Sequence, residues 1–190
     1  MNLSPQQAEF VLKLYPAAER CEARWHVPKT ISLGQALHES WRQKTNGPSR
    51  LAVNANNFWG IKAFKSWKGE TVVLDTFEFI GGKKELVKRV AWRKYPDPFA
   101  AFEDYGGLLH GQRYFHAFDY LPQDLATLTE EQEDQFLSEI AKSWATDPIY
   151  ARQVDKVEDM VQADLAVIMA VLKVVRVTMA ATRQALRGGP

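Results

Sequence analysis

Apolar residues recur in threes and fours along most of this chain, and one short stretch is dense instead in β-branched and aromatic residues, so the pattern predicts a mainly helical protein with a small β-lobe. Ser4-Pro5-Gln6-Gln7 combines an N-cap, a proline at the first helical position and a capping-box glutamine, ahead of apolar Ala8, Val11, Leu12, Leu14 and Tyr15. A first helix to about Ala23 follows. Beyond a break at His26-Val27-Pro28, Ser32-Leu33-Gly34-Gln35 repeats the capping-box pattern, with Leu33, Ala36, Leu37, Ser40 and Trp41 on one face and Glu39 on its flank. Residues 45–60, rich in Asn, Gly, Pro and Ser, read as an irregular loop.

Residues 70–80 are dense in β-branched and aromatic side chains, meet Gly81-Gly82, and are followed by a second strand-like run to Tyr95. This is an antiparallel hairpin. Helical spacing resumes over 98–114 and again near 130–144. Asp147-Pro148 then opens a last helix whose stripe, Val154, Val157, Val161, Leu165, Ile168, Leu172, Val175 and Met179, runs towards Gly188-Gly189, with a kink or break expected near Asp164.

Composition bounds the function. With 190 residues, 46% hydrophobic and 25% charged, the chain fits one globular unit with a small appendage, and disorder and collagen-like order are excluded. A net charge of +1 gives no global field for nucleic acid or membrane, yet residues 62–94 hold nine basic and four acidic side chains while 119–164 hold twelve acidic and three basic. The β-lobe is the basic pole. The lone Cys21 excludes an internal disulfide and a cysteine-based zinc site, and reads as a buried thiol. The first residues lack the features of a secretory signal, so the chain is expected first in the cytoplasm, and no apolar run is long enough for a transmembrane helix.

Several chemistries fall away. His38-Glu39 resembles the start of a zinc-protease helix, but Arg42 stands where the second ligand belongs. His110 and His116 have no acidic partner in a metal motif, so neither metal nor cofactor is expected. No nucleophile elbow, phosphate loop or dinucleotide fingerprint occurs, and nucleic-acid binding lacks both charge and a recognised module. What remains is a glutamate on a helix flank, Glu39, a second in a strand, Glu78, and aromatics between them. Glycosidic cleavage needs such a pair: a carboxylic acid to protonate the leaving oxygen, and a carboxylate to stabilise positive charge or activate water. Asn57, Phe58, Trp59, Trp67, Tyr95, Tyr105, Trp144 and Tyr150 are candidate sugar platforms and hydrogen-bonding neighbours.

The blocks Gln35-Ala-Leu-His-Glu39-Ser-Trp41, Asn57-Phe-Trp-Gly-Ile-Lys-Ala63, Trp67-Lys-Gly69, Thr76-Phe-Glu78, Trp92-Arg-Lys-Tyr95, Phe102-Glu-Asp-Tyr105 and Trp144-Ala-Thr-Asp-Pro-Ile-Tyr-Ala151 resemble, in order and spacing, the glucosaminidase family of peptidoglycan hydrolases, glycoside hydrolase family 73. The resemblance runs from about Phe10 to Val161. It implies a lysozyme-like α+β fold, with Glu39 as catalytic acid, Glu78 as the second carboxylate, and Asn57, Trp59, Trp67, Tyr105, Trp144 and Tyr150 as substrate-binding residues. The implied substrate is the glycan of bacterial peptidoglycan, cut in endo fashion at the β-1,4 bond after N-acetylglucosamine. Two departures stand out: the glycine usual between Ser40 and Trp41 is missing, and Trp144 replaces a tyrosine, keeping a platform but losing the hydroxyl. Residues 1–161 are thus expected to form the catalytic domain and 162–190 an apolar helical extension packed back on it. A wall hydrolase without a signal implies specialised delivery to the periplasm or wall, as a secreted antibacterial effector, a phage lysin or a flagellar enzyme, and as partners a periplasmic immunity or inhibitor protein or a secretion-apparatus component. The alternative is a non-catalytic peptidoglycan-binding or assembly module on the same scaffold, against which the retention of both glutamates argues.

Overall fold

Helix α1 (Pro5–Trp25) begins at the predicted capping box, in which the Gln7 amide N–H donates to Ser4 Oγ (3.3 Å) and Ser4 N–H to Gln7 Oε1 (2.9 Å). The computed structural model describes residues 2–80, 83–145 and 147–187, without the side chains of 77–80, 83–85 and 171–187. Helix α2 (Lys29–Ser40) starts three residues before the predicted Ser32 cap. The reason lies in α1: the Glu22 carboxylate accepts from Lys29 N–H (2.8 Å) and pairs with Lys29 Nζ (2.6 Å), satisfying the free helix end. Ser32 sits inside the helix and donates to Lys29 O.

Eight of the twelve α2 residues are buried, and residues 31–37 are buried on every side, so this is the central helix of the core. Its end runs into a small hairpin, β1 (Trp41–Arg42) with β2 (Gly47–Pro48), and then α3 (Arg50–Ala55) capped by Ser49. The stretch expected to be irregular therefore contains a helix. The predicted lobe is present as β3 (Thr71–Ile80) antiparallel to β4 (Lys83–Arg93), in a register that pairs Glu78 with Glu85; the Gly81-Gly82 turn lies outside the described residues.

Helix α4 (Pro98–Leu109), capped by Asp97, packs on α1, and α5 (Glu130–Trp144), started by a Thr129/Gln132 capping box, packs on α6 (Tyr150–Arg187), which together with α1 flanks α2. Helix α4 ends five residues before the predicted Tyr114, and short 3-10 turns follow it. Helix α6 is continuous through Asp164, so of the kink or break expected there the break is absent. Asp164 is buried for another purpose: its carboxylate accepts from Asn2 N–H (2.9 Å) and Leu3 N–H (2.9 Å), clamping the start of the chain to α6. The core extends past the expected 161/162 boundary, since Val161 and Leu165 are both buried in it, whereas Val167 and Met169 are exposed. Among the described residues no helix is long and apolar enough to cross a membrane. Cys21 is buried, and burial pushes its thiol up to about 12, which makes it an inert core group.

Helices α2 and α6 cross closely because Gly34 has no side chain: a Cβ there would lie 2.8 Å from the Glu158 Cα. Glu158 is thereby trapped, 2% exposed, with Oε1 lacking any described hydrogen-bond partner. Burial, reinforced by the negative charges of Glu133, Asp159 and Asp155 and opposed by a Thr30 hydrogen bond, raises its carboxyl from 4.5 to about 7. A raised carboxyl binds its proton more tightly in the folded than in the unfolded chain, so this favourable term is complete below about pH 4.5 and is lost as pH rises through about 7. At 1.36 kcal/mol per unit the loss is at most about 3 kcal/mol. Glu158→Gln, neutral and of equal size, is expected to raise the melting temperature by several degrees above pH 7 and to leave it nearly unchanged at pH 4, as thermal denaturation across that range will show.

Candidate active site

The last turn of α2 brings Glu39 out of the core to a half-buried position. Two other elements meet it there. Trp144, the final residue of α5, donates its indole N–H to Glu39 Oε1 (3.1 Å), and Tyr150, the first residue of α6, donates its hydroxyl to the same oxygen (2.7 Å). Burial, with the charge of Glu39 beside it, pushes the Tyr150 hydroxyl far up, so it stays protonated and remains a donor.

Behind this contact a chain of buried polar groups continues into the protein. Gln35 Nε2 donates to the Tyr150 hydroxyl oxygen (2.8 Å), and Gln35 Oε1 accepts from the Tyr105 hydroxyl (2.5 Å). Sequence reasoning passed over Gln35 as a site residue. Its position four residues before Glu39 on the same helical face was the available signal.

Two concavities, of about 1010 and 1000 Å³, share Glu39, Trp59 and Gly60 in their linings. One is walled by α3 and by Val73, Leu74, Asp75 and Thr76 of the hairpin; the other runs past Tyr114, Trp144 and Tyr150. Glu39 therefore stands near the middle of a long groove. Arg42 and Arg50 line one arm with Asp75, and Lys62, Arg93, Arg113 and Lys142 line the other with Asp147, so basic side chains outnumber acidic ones beyond Glu39 itself.

The structure sorts the predicted platforms by burial. Trp144 is half-exposed in the groove, and Trp59 reaches it by an edge, its ring stacked on Tyr105 at 4.1 Å and 7°. Tyr105 is fully buried and Tyr150 nearly so; both serve Glu39 through hydrogen bonds and present no open face to a sugar. Phe58 and Tyr95 are core residues. Asn57 lines the groove but is a latch, donating to Ile61 O and Arg93 O (2.9 Å each) and accepting from Ile61 N–H (2.9 Å). Trp67 lies outside the groove, at a separate hollow of about 460 Å³, with Arg93 over its ring at 4.8 Å. Its indole N–H donates to Glu70 O (2.9 Å). Glu78 belongs to the hairpin strand β3, and its side chain lies outside the described ones.

The hairpin wall is fixed at its base. Arg93 Nη1 meets both oxygens of Asp104 on α4 (2.8 and 2.7 Å), and the Tyr95 hydroxyl donates to the same carboxylate (2.6 Å). Farther out, the ladder shifts register between Leu74 and Thr76, and Arg89, in the left-handed region at φ 57°, donates its N–H to Asp75 (2.8 Å).

Comparison with known proteins bears directly on this arrangement. The family described as mannosyl-glycoprotein endo-beta-N-acetylglucosaminidase matches residues 15–163. The chain is 32% identical over 152 residues to peptidoglycan hydrolase FlgJ of Vibrio cholerae, covering 78% of this chain and 42% of that protein. It is 29% identical over 160 residues to exo-glucosaminidase LytG of Bacillus subtilis, covering 84% and 53%. The chain thus spans about half or less of the length of these relatives. The glycoside hydrolase domain of Salmonella typhimurium FlgJ superposes with a TM-score of 0.60 at 26% identity, covering 92% of this chain and 98% of that domain.

The carboxylate of Asp104 is the joint between lobe and helices. Asp104→Ala leaves Arg93 and Tyr95 without their shared acceptor in a partly buried setting, and is expected to cost about 2–4 kcal/mol and to speed amide exchange at 91–95. Chemical denaturation and hydrogen exchange provide the check.

Proposed function

This chain belongs to the glucosaminidase family, and from that premise we propose that it is a peptidoglycan hydrolase that cuts the β-1,4 bond after N-acetylglucosamine within the glycan strand. The observation that carries the reading is the position of Glu39: a half-buried carboxyl held by two donors, with groove on both sides. A groove open past the acid in both directions suits a polymer lying across it, and favours internal cleavage over trimming from an end. Its excess of basic side chains suits the carboxylates that peptide stems add to the wall glycan, a feature a neutral glycan lacks.

In this mechanism Glu39 gives its proton to the glycosidic oxygen as the bond to the anomeric carbon breaks. Glu78, from the strand whose residues 73–76 wall the groove, is the second carboxylate, stabilising the oxocarbenium-like centre or activating water; the N-acetyl oxygen of the substrate is the alternative source of that charge. Trp144 supplies the flat contact and Trp59 meets the groove by an edge, while Tyr150 and Tyr105 act from beneath. The place of action is the periplasm or wall, where the polymer lies. The protein partners this reading predicts are an immunity or inhibitor protein that plugs the groove and a component of the delivery apparatus, in keeping with an antibacterial effector or a phage lysin. Beyond Leu165, the last buried residue of the core among those described, residues 166–187 of α6 are a helical extension of the catalytic unit.

Glu39→Gln keeps the shape and both donors' target but removes the proton, and is expected to lower the release of reducing ends from purified peptidoglycan by at least about 100-fold with an unchanged melting temperature. Mass spectrometry of wild-type products should find N-acetylglucosamine at the new reducing end; binding without cleavage by the wild type would instead identify a non-catalytic module. Trp144→Phe, which keeps a ring and deletes the N–H, is expected to lower kcat by about tenfold in the same assay.

A further inference from the structure

The buried chain behind Glu39 has a direction, and the direction can be deduced. Tyr105 is fully buried, and among the described residues its hydroxyl has one acceptor, Gln35 Oε1. A buried hydroxyl proton must have an acceptor, so the oxygen end of the amide is held towards Tyr105. The NH₂ end of Gln35, itself fully buried, is then forced towards Tyr150 and donates to its oxygen. Two protons cannot share one hydrogen bond, so the Tyr150 proton has to leave on the other side, towards Glu39 Oε1. Trp144 adds an indole N–H, a donor only, to the same oxygen.

We propose that Tyr105 and Gln35 are positioning residues that act through Tyr150 to make Glu39 Oε1 a permanent acceptor and so confine the transferable proton to Oε2. This rests on the reading of Glu39 as the proton donor. With Oε1 occupied by two donated protons in both states of the acid, a single tautomer remains, and the proton sits on the oxygen free to face the groove. When that proton moves to the leaving glycosidic oxygen, the negative charge left on the carboxylate meets two dipoles already aimed at Oε1, with no rearrangement required. Burial holds both tyrosine hydroxyls far above their ordinary range, so the chain orients the acid without taking up or losing protons itself.

Tyr105 divides its labour between ring and hydroxyl. The ring of Tyr105 is a structural element through its stack on Trp59, and its hydroxyl, one atom, carries the functional signal. Tyr105→Phe removes that atom alone, and the amide is then free to turn, letting the Tyr150 proton point inward.

The test is a double-mutant cycle in the full chain, with kcat and KM measured on soluble peptidoglycan strands. Tyr105→Phe is expected to lower kcat by about tenfold with KM within about twofold of wild type, and Tyr150→Phe to lower it by at least as much. In the Tyr150→Phe background, adding Tyr105→Phe should cost nothing more, because the signal has no other route. Multiplying effects in the double variant, a loss confined to KM, or an unchanged kcat in Tyr105→Phe would each overturn the proposal. If Tyr105→Phe melts below the assay temperature, Gln35→Met breaks the same chain, and the same non-additivity with Tyr150→Phe is required of it. Glu39→Gln separates the two levels: full activity there removes the premise, whereas an inactive Glu39→Gln beside an additive cycle overturns the positioning role alone.

Discussion

A carboxylate at the end of a helix that is otherwise buried is tolerated only where hydrogen-bond donors meet it, and the arrangement of this protein follows from supplying them to Glu39. Residues 31–37 of helix α2 are buried on every side, so a charged group on it can reach water only at its two ends, Lys29 at the start and Glu39 in the last turn. Two helix ends, the C-terminus of α5 and the N-terminus of α6, converge on that turn and deliver an indole N–H and a phenol O–H to one oxygen. Those ends are adjacent in sequence, separated by a short connection, which makes their joint arrival at Glu39 a consequence of one turn of the chain.

The same constraint explains how much of the protein is spent on holding α2 in place. Gly34 permits α6 to approach closely enough for Tyr150 to reach Glu39, and the cost of that approach is visible in Glu158, an acid buried at the crossing with an unsatisfied oxygen. Asp164, two turns further on, binds the first backbone N–H groups of the chain and ties α1 to the same helix. Both acids stand inside the core for reasons of helix placement. Neither touches the groove.

The opposite wall is built on different terms. Helices α2, α5 and α6 share a continuous apolar core, whereas the β3–β4 lobe is joined to the rest through polar links: the Asn57 latch, the Asn56 amide on Tyr95 O, and the Arg93–Asp104–Tyr95 cluster. A lobe fastened at its base by directional bonds keeps residues 73–76 in position as the wall of the groove opposite Glu39.

Local signals determined much of this protein. The Ser4 cap, the β-branched and aromatic run of β3 and the helical stripes are properties of neighbouring residues, and they marked α1, the hairpin and the places of the longer helices, whereas α3, six residues capped by Ser49, was too short to show a stripe. The start of α2 escaped this reading because its cap is Glu22, a residue of the preceding helix, and the continuity of α6 escaped because Asp164 finds its partners at the far end of the chain. Glu39 was legible from its flank position and from the matched blocks around it. Only the tertiary structure separated the aromatics into those that face the groove and those that work beneath it, because burial depends on what packs against a ring and not on the ring itself. Tyr105 and Tyr150 have the composition of sugar platforms, and became hydrogen-bond donors once α4 and α6 closed over Gln35.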